Sequence, residues 1–263
     1  MKLFYRQFGE GQPVVILHGI FGISDNWVTI GRRLAEKFEV FIPDQRNHGQ
    51  SPHSATFNYF SLVDDLREFI EDRELSHPIL IGHSMGGKVA MNFAMEYPGR
   101  IEKLVVVDMS MRRYEPRQEH MQILQAMLQV DFDAVSSREE VEDIISVSVK
   151  SKRVRMFIMK NLYRINDNRF SWRLNVDSIN ENIDNIFEGI DSPYTFEKPS
   201  LFIRGGNSDY IQDQDFEKIQ RYFPKSKLQT IEGASHWVHA DKPDELCAMF
   251  SEFLEKDCEF NVK

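Results

Sequence analysis

Through the first hundred positions, short apolar runs alternate with stretches whose apolar residues recur every three or four. That alternation predicts βαβ units around a largely parallel sheet. Strand-like runs cover Leu3 to Phe8 and Pro13 to Leu17, on either side of a Gly9-Glu10-Gly11 turn. Others are Phe38 to Ile42, Pro78 to Ile81, Lys103 to Val107, Pro199 to Arg204 and Lys227 to Ile231. Val14-Val15-Ile16-Leu17 and Leu104-Val105-Val106-Val107 are continuously apolar, as strands buried on both faces must be. Between them lie helical stripes, Leu62, Leu66, Phe69 and Ile70 in one and Val89, Phe93 and Ala94 in another, the latter stopped by Tyr97-Pro98-Gly99.

After Val107 the pattern changes. Residues 112–192 read as helix after helix without a buried strand. The stripes are Met121, Leu124, Met127 and Leu128; Val141, Ile144 and Ile145 behind a capping box of Ser137 and Glu140; Val154, Phe157, Ile158 and Leu162; and Ile179, Ile183, Ile186 and Phe187. Strand patterning returns at Pro199. The expected organisation is an α/β core of residues 1–111 and 193–263, with 112–192 inserted as a helical cap over the carboxyl edge of the sheet, where open α/β folds bind ligands.

Composition narrows the class. The chain has 263 residues, 41% hydrophobic and 28% charged, which suits a globular protein with a sizeable core. Its 32 Lys and Arg against 41 Asp and Glu give a net charge of −9, which argues against a nucleic-acid partner. The two cysteines, Cys247 and Cys258, lack metal-type spacing and suggest neither a disulfide framework nor a zinc site, so a reducing cytoplasm is expected. No stretch resembles a signal peptide or reaches the roughly eighteen apolar residues of a membrane span.

The strongest chemical signal is Gly82-His83-Ser84-Met85-Gly86-Gly87, a G-x-S-x-G between a predicted strand and a predicted helix. In such a turn the glycines permit a close backbone approach while the serine is held in a strained conformation with its hydroxyl exposed. The helix N-terminus behind it favours a developing anion. A second motif, His18-Gly19-Ile20-Phe21-Gly22, follows the strand that ends at Leu17. Acyl transfer puts negative charge on a carbonyl oxygen, and two backbone N–H groups must already point at it. Met85 is expected to supply one and Ile20 the other, with Phe21 as alternate because register in this loop is not readable. His18 reads as structural.

Serine needs an imidazole to take its proton. Of eight histidines, His236 is favoured by its place in Gly233-Ala234-Ser235-His236-Trp237, between the last strand and the C-terminal helix. His239 on the same loop is its rival. His48, His53, His77, His83 and His120 read as structural or surface residues.

These motifs resemble the α/β-hydrolases and, more narrowly, the YbfF-type bacterial esterases and their mitochondrial relatives. The resemblance covers nearly the whole chain. It is carried also by Pro43-Asp44-Gln45-Arg46-Asn47-His48-Gly49-Gln50-Ser51, Phe170-Ser171-Trp172-Arg173-Leu174-Asn175 and Arg204-Gly205-Gly206-Asn207-Ser208. It implies esterase or thioesterase activity, a helical cap, no metal and no organic cofactor.

The acid that orients His236 must be a carboxylate at the carboxyl edge of the sheet. Asp209 follows the strand ending at Arg204, the commoner superfamily location. Asp108 follows Val107, the location the narrower resemblance implies. An aspartate ending a run of three valines is costly without partners, which favours Asp108, whereas Asp209 fits a turn residue. Asp44 reads as a brace for the Arg46 to Ser51 turn.

The expected activity is hydrolysis of carboxylic esters or thioesters, acyl-coenzyme A among them, with Phe21 and Trp237 lining an acyl pocket. The substrate is a small molecule. Between Lys150 and Arg173 the cap carries eight Lys and Arg against Asp167 alone, which would attract an anionic leaving group or else pair with Glu139, Glu140, Glu142 and Asp143. Alternatives are a carbon–carbon bond hydrolase or lyase with the same triad and a catalytically silent binding protein. Dehalogenase chemistry on this fold uses an aspartate where this chain has Ser84.

Overall fold

The computed structural model describes residues 1–166 and 169–255; Asp167 and Cys258, named above, lie outside that range. Seven strands form one sheet: β1 (Tyr5–Phe8), β2 (Gln12–Leu17), β3 (Phe38–Pro43), β4 (Ile79–His83), β5 (Leu104–Val107), β8 (Ser200–Gly205) and β9 (Ser226–Ile231). Their order is β1-β3-β2-β4-β5-β8-β9, with β1 antiparallel to β3 and every other pair parallel. Successive residues of a strand face opposite sides, so the continuously apolar runs feed two cores. Val15, Leu17, Leu80, Leu104 and Val106 pack on one face with α2 (Tyr59–Asp72) and α3 (Met85–Glu96). Val14, Ile16, Ile81, Val105 and Val107 pack on the other with α1 (Val28–Leu34) and α11 (Pro243–Glu255). The sheet is thereby covered on both sides, and its carboxyl edge is left for loops.

Between β5 and β8 the chain forms α4 (Gln118–Leu128), α5 (Arg138–Ser148), α6 (Lys152–Ile158), α7 (Val176–Glu181) and α8 (Ile183–Phe187). After β8 come α9 (Asp213–Tyr222) and, following β9, α10 (Val238–Asp241). The inserted block is not purely helical. An antiparallel hairpin, β6 (Leu162–Asn166) and β7 (Arg169–Trp172), lies between α6 and α7. Leu162, read above as the last residue of a helical stripe, opens β6 and pairs with Trp172. The hairpin buries Phe170 and Trp172 on alternate positions, and the Trp172 indole N–H donates to the Met127 carbonyl at 3.1 Å. The stripe from Ile179 to Phe187 also breaks at Asn182 into two short helices.

Half of the expected capping box forms. The Ser137 hydroxyl accepts from the Glu140 N–H at 3.1 Å, but the Glu140 carboxylate reaches back to the N–H of Ser136, one residue earlier. The segment between β5 and β8 is tied at its two ends, to itself and to its surroundings. Tyr114 N–H donates to the Phe187 carbonyl at 2.8 Å and Ile190 N–H to the Met111 carbonyl at 2.7 Å. The Tyr59 hydroxyl holds the Ile186 carbonyl at 2.7 Å, and the buried Lys88 ammonium holds that of Glu188.

Candidate active site

Ser84 follows β4 directly and caps α3, with φ 52° and ψ −121°, a region that costs a non-glycine residue about 1–3 kcal/mol. The turn survives because only hydrogen projects from Gly82 and Gly86, two residues to either side. A β-carbon on Gly86 would overlap the Leu17 carbonyl of the adjacent strand, and one on Gly82 would overlap the carbonyl of Gly86. Ser84 is 6% exposed and lines a cavity of about 90 Å³ that His236 also lines.

His236 sits on the loop after β9. Its Nδ1 is 2.8 Å from Asp108 Oδ2, which leaves Nε2 as the nitrogen available to the cavity. Asp108 is fully buried at the end of β5, with φ 49°. Its charge is satisfied by three donors: Gly205 N–H to Oδ1 at 3.0 Å, and the Ser208 hydroxyl and His236 Nδ1 to Oδ2. Strand register makes this possible, because Val107 lies opposite Ile203 and the next residues of β5 and β8 meet at the sheet edge. Asp209 goes elsewhere. Its side chain is 65% exposed and paired with Arg117 at 2.5 Å, and that guanidinium holds its carboxyl below the usual range.

A profile of the family described as alpha/beta hydrolase fold matches residues 12–243 of this chain. The chain belongs to the α/β-hydrolase family. It is 38% identical to the sn-1-specific diacylglycerol lipase ABHD11 of Danio rerio over 94% of this chain and 80% of that protein. It is 32% identical to the esterase YbfF of Escherichia coli over 97% of this chain and 99% of that protein. Among solved structures, a marine microorganism esterase shares 41% identity and superposes with a TM-score of 0.93, covering 96% of this chain and 99% of the other.

In this α/β-hydrolase the second glycine-rich loop lies against the serine turn: a β-carbon on Gly19 would stand 3.0 Å from that of Ser84. The N–H of Phe21 is already committed to His48 Nε2 at 3.3 Å. For the N–H groups of Ile20 and Met85, no acceptor is found among the described residues. His48 donates from Nδ1 to the Arg46 carbonyl, and burial presses its pKa down to about 3. His18 is equally enclosed, accepting Gln45 N–H at Nε2 and facing the Gly19 carbonyl with Nδ1; burial lowers it to about 4. Both are neutral braces of the loop. Asp44 braces it from below, accepting the N–H groups of Ser24 and Gln50.

His239 also lines the cavity, but its ring stacks on Trp27 at 4.6 Å and burial pushes it down to about 3. Phe21 and Trp237 line the cavity as well, Trp237 edge-on to Phe157 of α6. Four further residues meet His236, Asp108 or the cavity: sequence assigned Ser208 and Tyr210 no role in the site and read His83 and His120 as structural or surface residues. Ser208 shares the Asp108 oxygen with His236; His83 Nε2 contacts the His236 carbonyl at 2.9 Å; Tyr210 lies flat on the imidazole; and His120 enters from α4. Ser208 belongs to a motif that carried the family resemblance, and that was the one available signal. The others are brought in by tertiary contact. Among the described residues no cluster of His, Cys, Asp and Glu fit to hold a metal is found, and no helix is long and apolar enough to cross a membrane.

The basic stretch between β5 and β8 is partly paired, Arg155 with Glu142, Arg153 with Asp241 and Arg169 with Asp133. Lys152, Arg153 and Lys160 line an open groove that shares Phe157 and Trp237 with the cavity beside Ser84.

Proposed function

We propose that this chain hydrolyses carboxylic esters of small molecules through an acyl-enzyme on Ser84. The observation that carries the reading is His236, held by the buried Asp108, opening on the same cavity as a serine held at positive φ. In this mechanism His236 Nε2 takes the proton of Ser84 as its oxygen attacks the ester carbonyl. Asp108 keeps the imidazole proton on Nδ1 and stabilises the imidazolium. The carbonyl oxygen, now negative, is held by the N–H groups of Met85 and Ile20; Phe21 is set aside because its N–H serves His48. The imidazolium then protonates the departing alkoxide, and water, activated by the same base, cleaves the acyl-enzyme.

The names of the relatives, esterase and lipase, agree with an ester substrate. A thioester with an anionic leaving group, such as an acyl-coenzyme A, is a second reading, favoured by the Lys152, Arg153 and Lys160 groove beside the cavity. The Phe21 and Trp237 side chains would then hold the acyl part. The helices of 112–192 act as the cap over this site, with the remainder of the chain as the core.

The test is labelling with a fluorophosphonate and turnover of a p-nitrophenyl ester. Stoichiometric labelling at Ser84, lost with turnover in Ser84→Ala, is expected. A folded wild-type protein that neither labels nor turns over would identify a silent binding protein. Labelling without cleavage of any ester or thioester would point to the carbon–carbon hydrolase alternative.

A further inference from the structure

The loop that brings Ile20 beside Ser84 is a four-residue turn under strain. Gly22 N–H closes it on the Gly19 carbonyl at 3.0 Å. Of its two central residues, Ile20 does not take a positive φ and Phe21 sits at 63°. That is the pattern of a type II turn, in which glycine normally fills the position Phe21 occupies. A bulky side chain stays there only if its surroundings over-determine it. The turn can relax by flipping its central peptide unit, which changes ψ of Ile20 and φ of Phe21 together. Two side chains oppose this, one on each of the peptide units that flank Phe21. His48 Nε2 accepts the Phe21 N–H at 3.3 Å, and Asn161 Nδ2 donates to the Phe21 carbonyl at 2.9 Å.

We propose that Asn161 is a positioning residue for the oxyanion site: its amide holds the Phe21 carbonyl and so keeps the N–H of Ile20 aimed at the oxygen that becomes negative. The inference rests on Ile20 being an oxyanion donor, as argued above. Asn161 closes the 3-10 turn Met159–Asn161 between α6 and β6 and lies 140 positions from Phe21. It is 1% exposed and Phe21 2%, so their hydrogen bond forms where solvent weakens it little. The acceptor is a carbonyl, which fixes the orientation of the amide, nitrogen toward Phe21. Asn161 is itself held in place. Its own carbonyl accepts the N–H of Arg173, just past β7, at 2.8 Å, and the Met159 carbonyl accepts the Arg138 guanidinium at 2.9 Å. The shape of the oxyanion loop thus depends on a residue from the segment between β5 and β8, and the pair of donors is complete only when that segment is seated.

A residue that only fills space would change stability without singling out the negative oxygen, and this separates the two roles. Two quantities would be measured for wild type, Asn161→Leu, Asn161→Ala, Trp172→Phe and Ser84→Ala, with folding followed by circular dichroism. One is kcat and KM for a p-nitrophenyl ester. The other is the inhibition constant of a trifluoromethyl ketone, whose adduct with Ser84 places a negative oxygen where the tetrahedral state has one. Asn161→Leu keeps the size and removes the donor; it should lose roughly 10- to 100-fold in kcat with KM within about threefold, the scale of a misaimed catalytic group. Affinity for the ketone should fall by the same factor, because both report the same oxyanion. Asn161→Ala should lose at least about tenfold in both and serves if the leucine variant does not fold. Trp172→Phe removes the indole bond to the Met127 carbonyl without touching the loop, and should keep both quantities within about threefold. Wild-type kcat in a folded Asn161 variant overturns the proposal. So does a loss confined to KM, a loss in kcat that ketone affinity does not follow, or an equal loss in Trp172→Phe. Turnover surviving in Ser84→Ala would instead overturn the assignment of the nucleophile, whatever Asn161 does.

Discussion

Replacing Asp108 by asparagine preserves the shape of the side chain and changes which of its atoms accept hydrogen bonds. In the wild type all three partners of the carboxylate are donors to it: Gly205 N–H, the Ser208 hydroxyl and His236 Nδ1. An asparagine has one acceptor oxygen. If that oxygen faces Gly205, the amide nitrogen faces Ser208 and His236. The hydroxyl can turn and accept, but the imidazole must then accept at Nδ1 and carry its proton on Nε2. That tautomer cannot take a proton from Ser84. If the amide turns over, its NH2 meets the Gly205 N–H in a site with no exposure, donor against donor. The first orientation costs less and gives the inactive tautomer, so turnover should fall by about 10⁴, equivalent to ~5 kcal/mol of transition-state stabilisation. Asp209→Asn removes an exposed ion pair worth about 0.2–1 kcal/mol and should cost no more than about fivefold. The assay is turnover of a short p-nitrophenyl ester with both variants checked for folding. Turnover above a tenth of wild type in Asp108→Asn, or a collapse in Asp209→Asn, would refute the reasoning.

Three further outcomes are expected. His48 is buried neutral with a pKa near 3, so the unfolded chain binds a proton below about 6.5 that the folded chain refuses. Its contribution to stability is complete above pH 6.5 and falls by roughly 1.4 kcal/mol per unit toward pH 3. His48→Gln, which can keep the bonds to Arg46 and Phe21 without titrating, should show a shallower loss in urea unfolding between pH 7 and 5; equal slopes would contradict this. Gly86→Ala drives a methyl group into the Leu17 carbonyl and should destabilise the fold by about 2–4 kcal/mol, read as an earlier unfolding midpoint; an unchanged midpoint would mean that the turn relaxes easily. If the groove at Lys152, Arg153 and Lys160 receives an anionic leaving group, kcat/KM on an acyl-coenzyme A should drop several-fold between low and high salt, while the same acyl group on an uncharged thiol does not respond; salt-independent preference sinks the second substrate reading.

The parts of the fold legible in sequence are those specified by local pattern. β5 and the Val14 to Leu17 part of β2 are continuous apolar runs, and being buried on both faces leaves no polar position within them that could obscure them. The serine turn was legible because its motif lies within Gly82 to Gly86, although the contact that excludes a side chain at Gly86 is made with Leu17 of the adjacent strand. The β6–β7 hairpin was not, since Leu162 falls at helical spacing from Ile158, whereas the pairing of Leu162 with Trp172 and the Trp172 indole bond to the Met127 carbonyl, which go with the extended form, are made outside that stripe. Glu140 shows the same limit on a smaller scale, as two neighbouring N–H groups could receive its carboxylate and the fold presents that of Ser136.

By itself the sequence determined the two-faced sheet, the position of a strained serine between strand and helix, and a long, mainly helical segment between β5 and β8. Each follows from interactions among residues close in the chain. Tertiary structure decided which side chains meet. Asp108 and His236 are 128 positions apart, and their contact depends on the register of β5 against β8 and on the loop after β9 folding over that edge. Asp209 lies only a few residues past the same edge, but the turn after Gly205 points Ser208 inward and sends Asp209 out to Arg117. Propensity and spacing carry no information about that choice, because it is made by the geometry of two neighbouring strand ends and by a cation that arrives from the insertion.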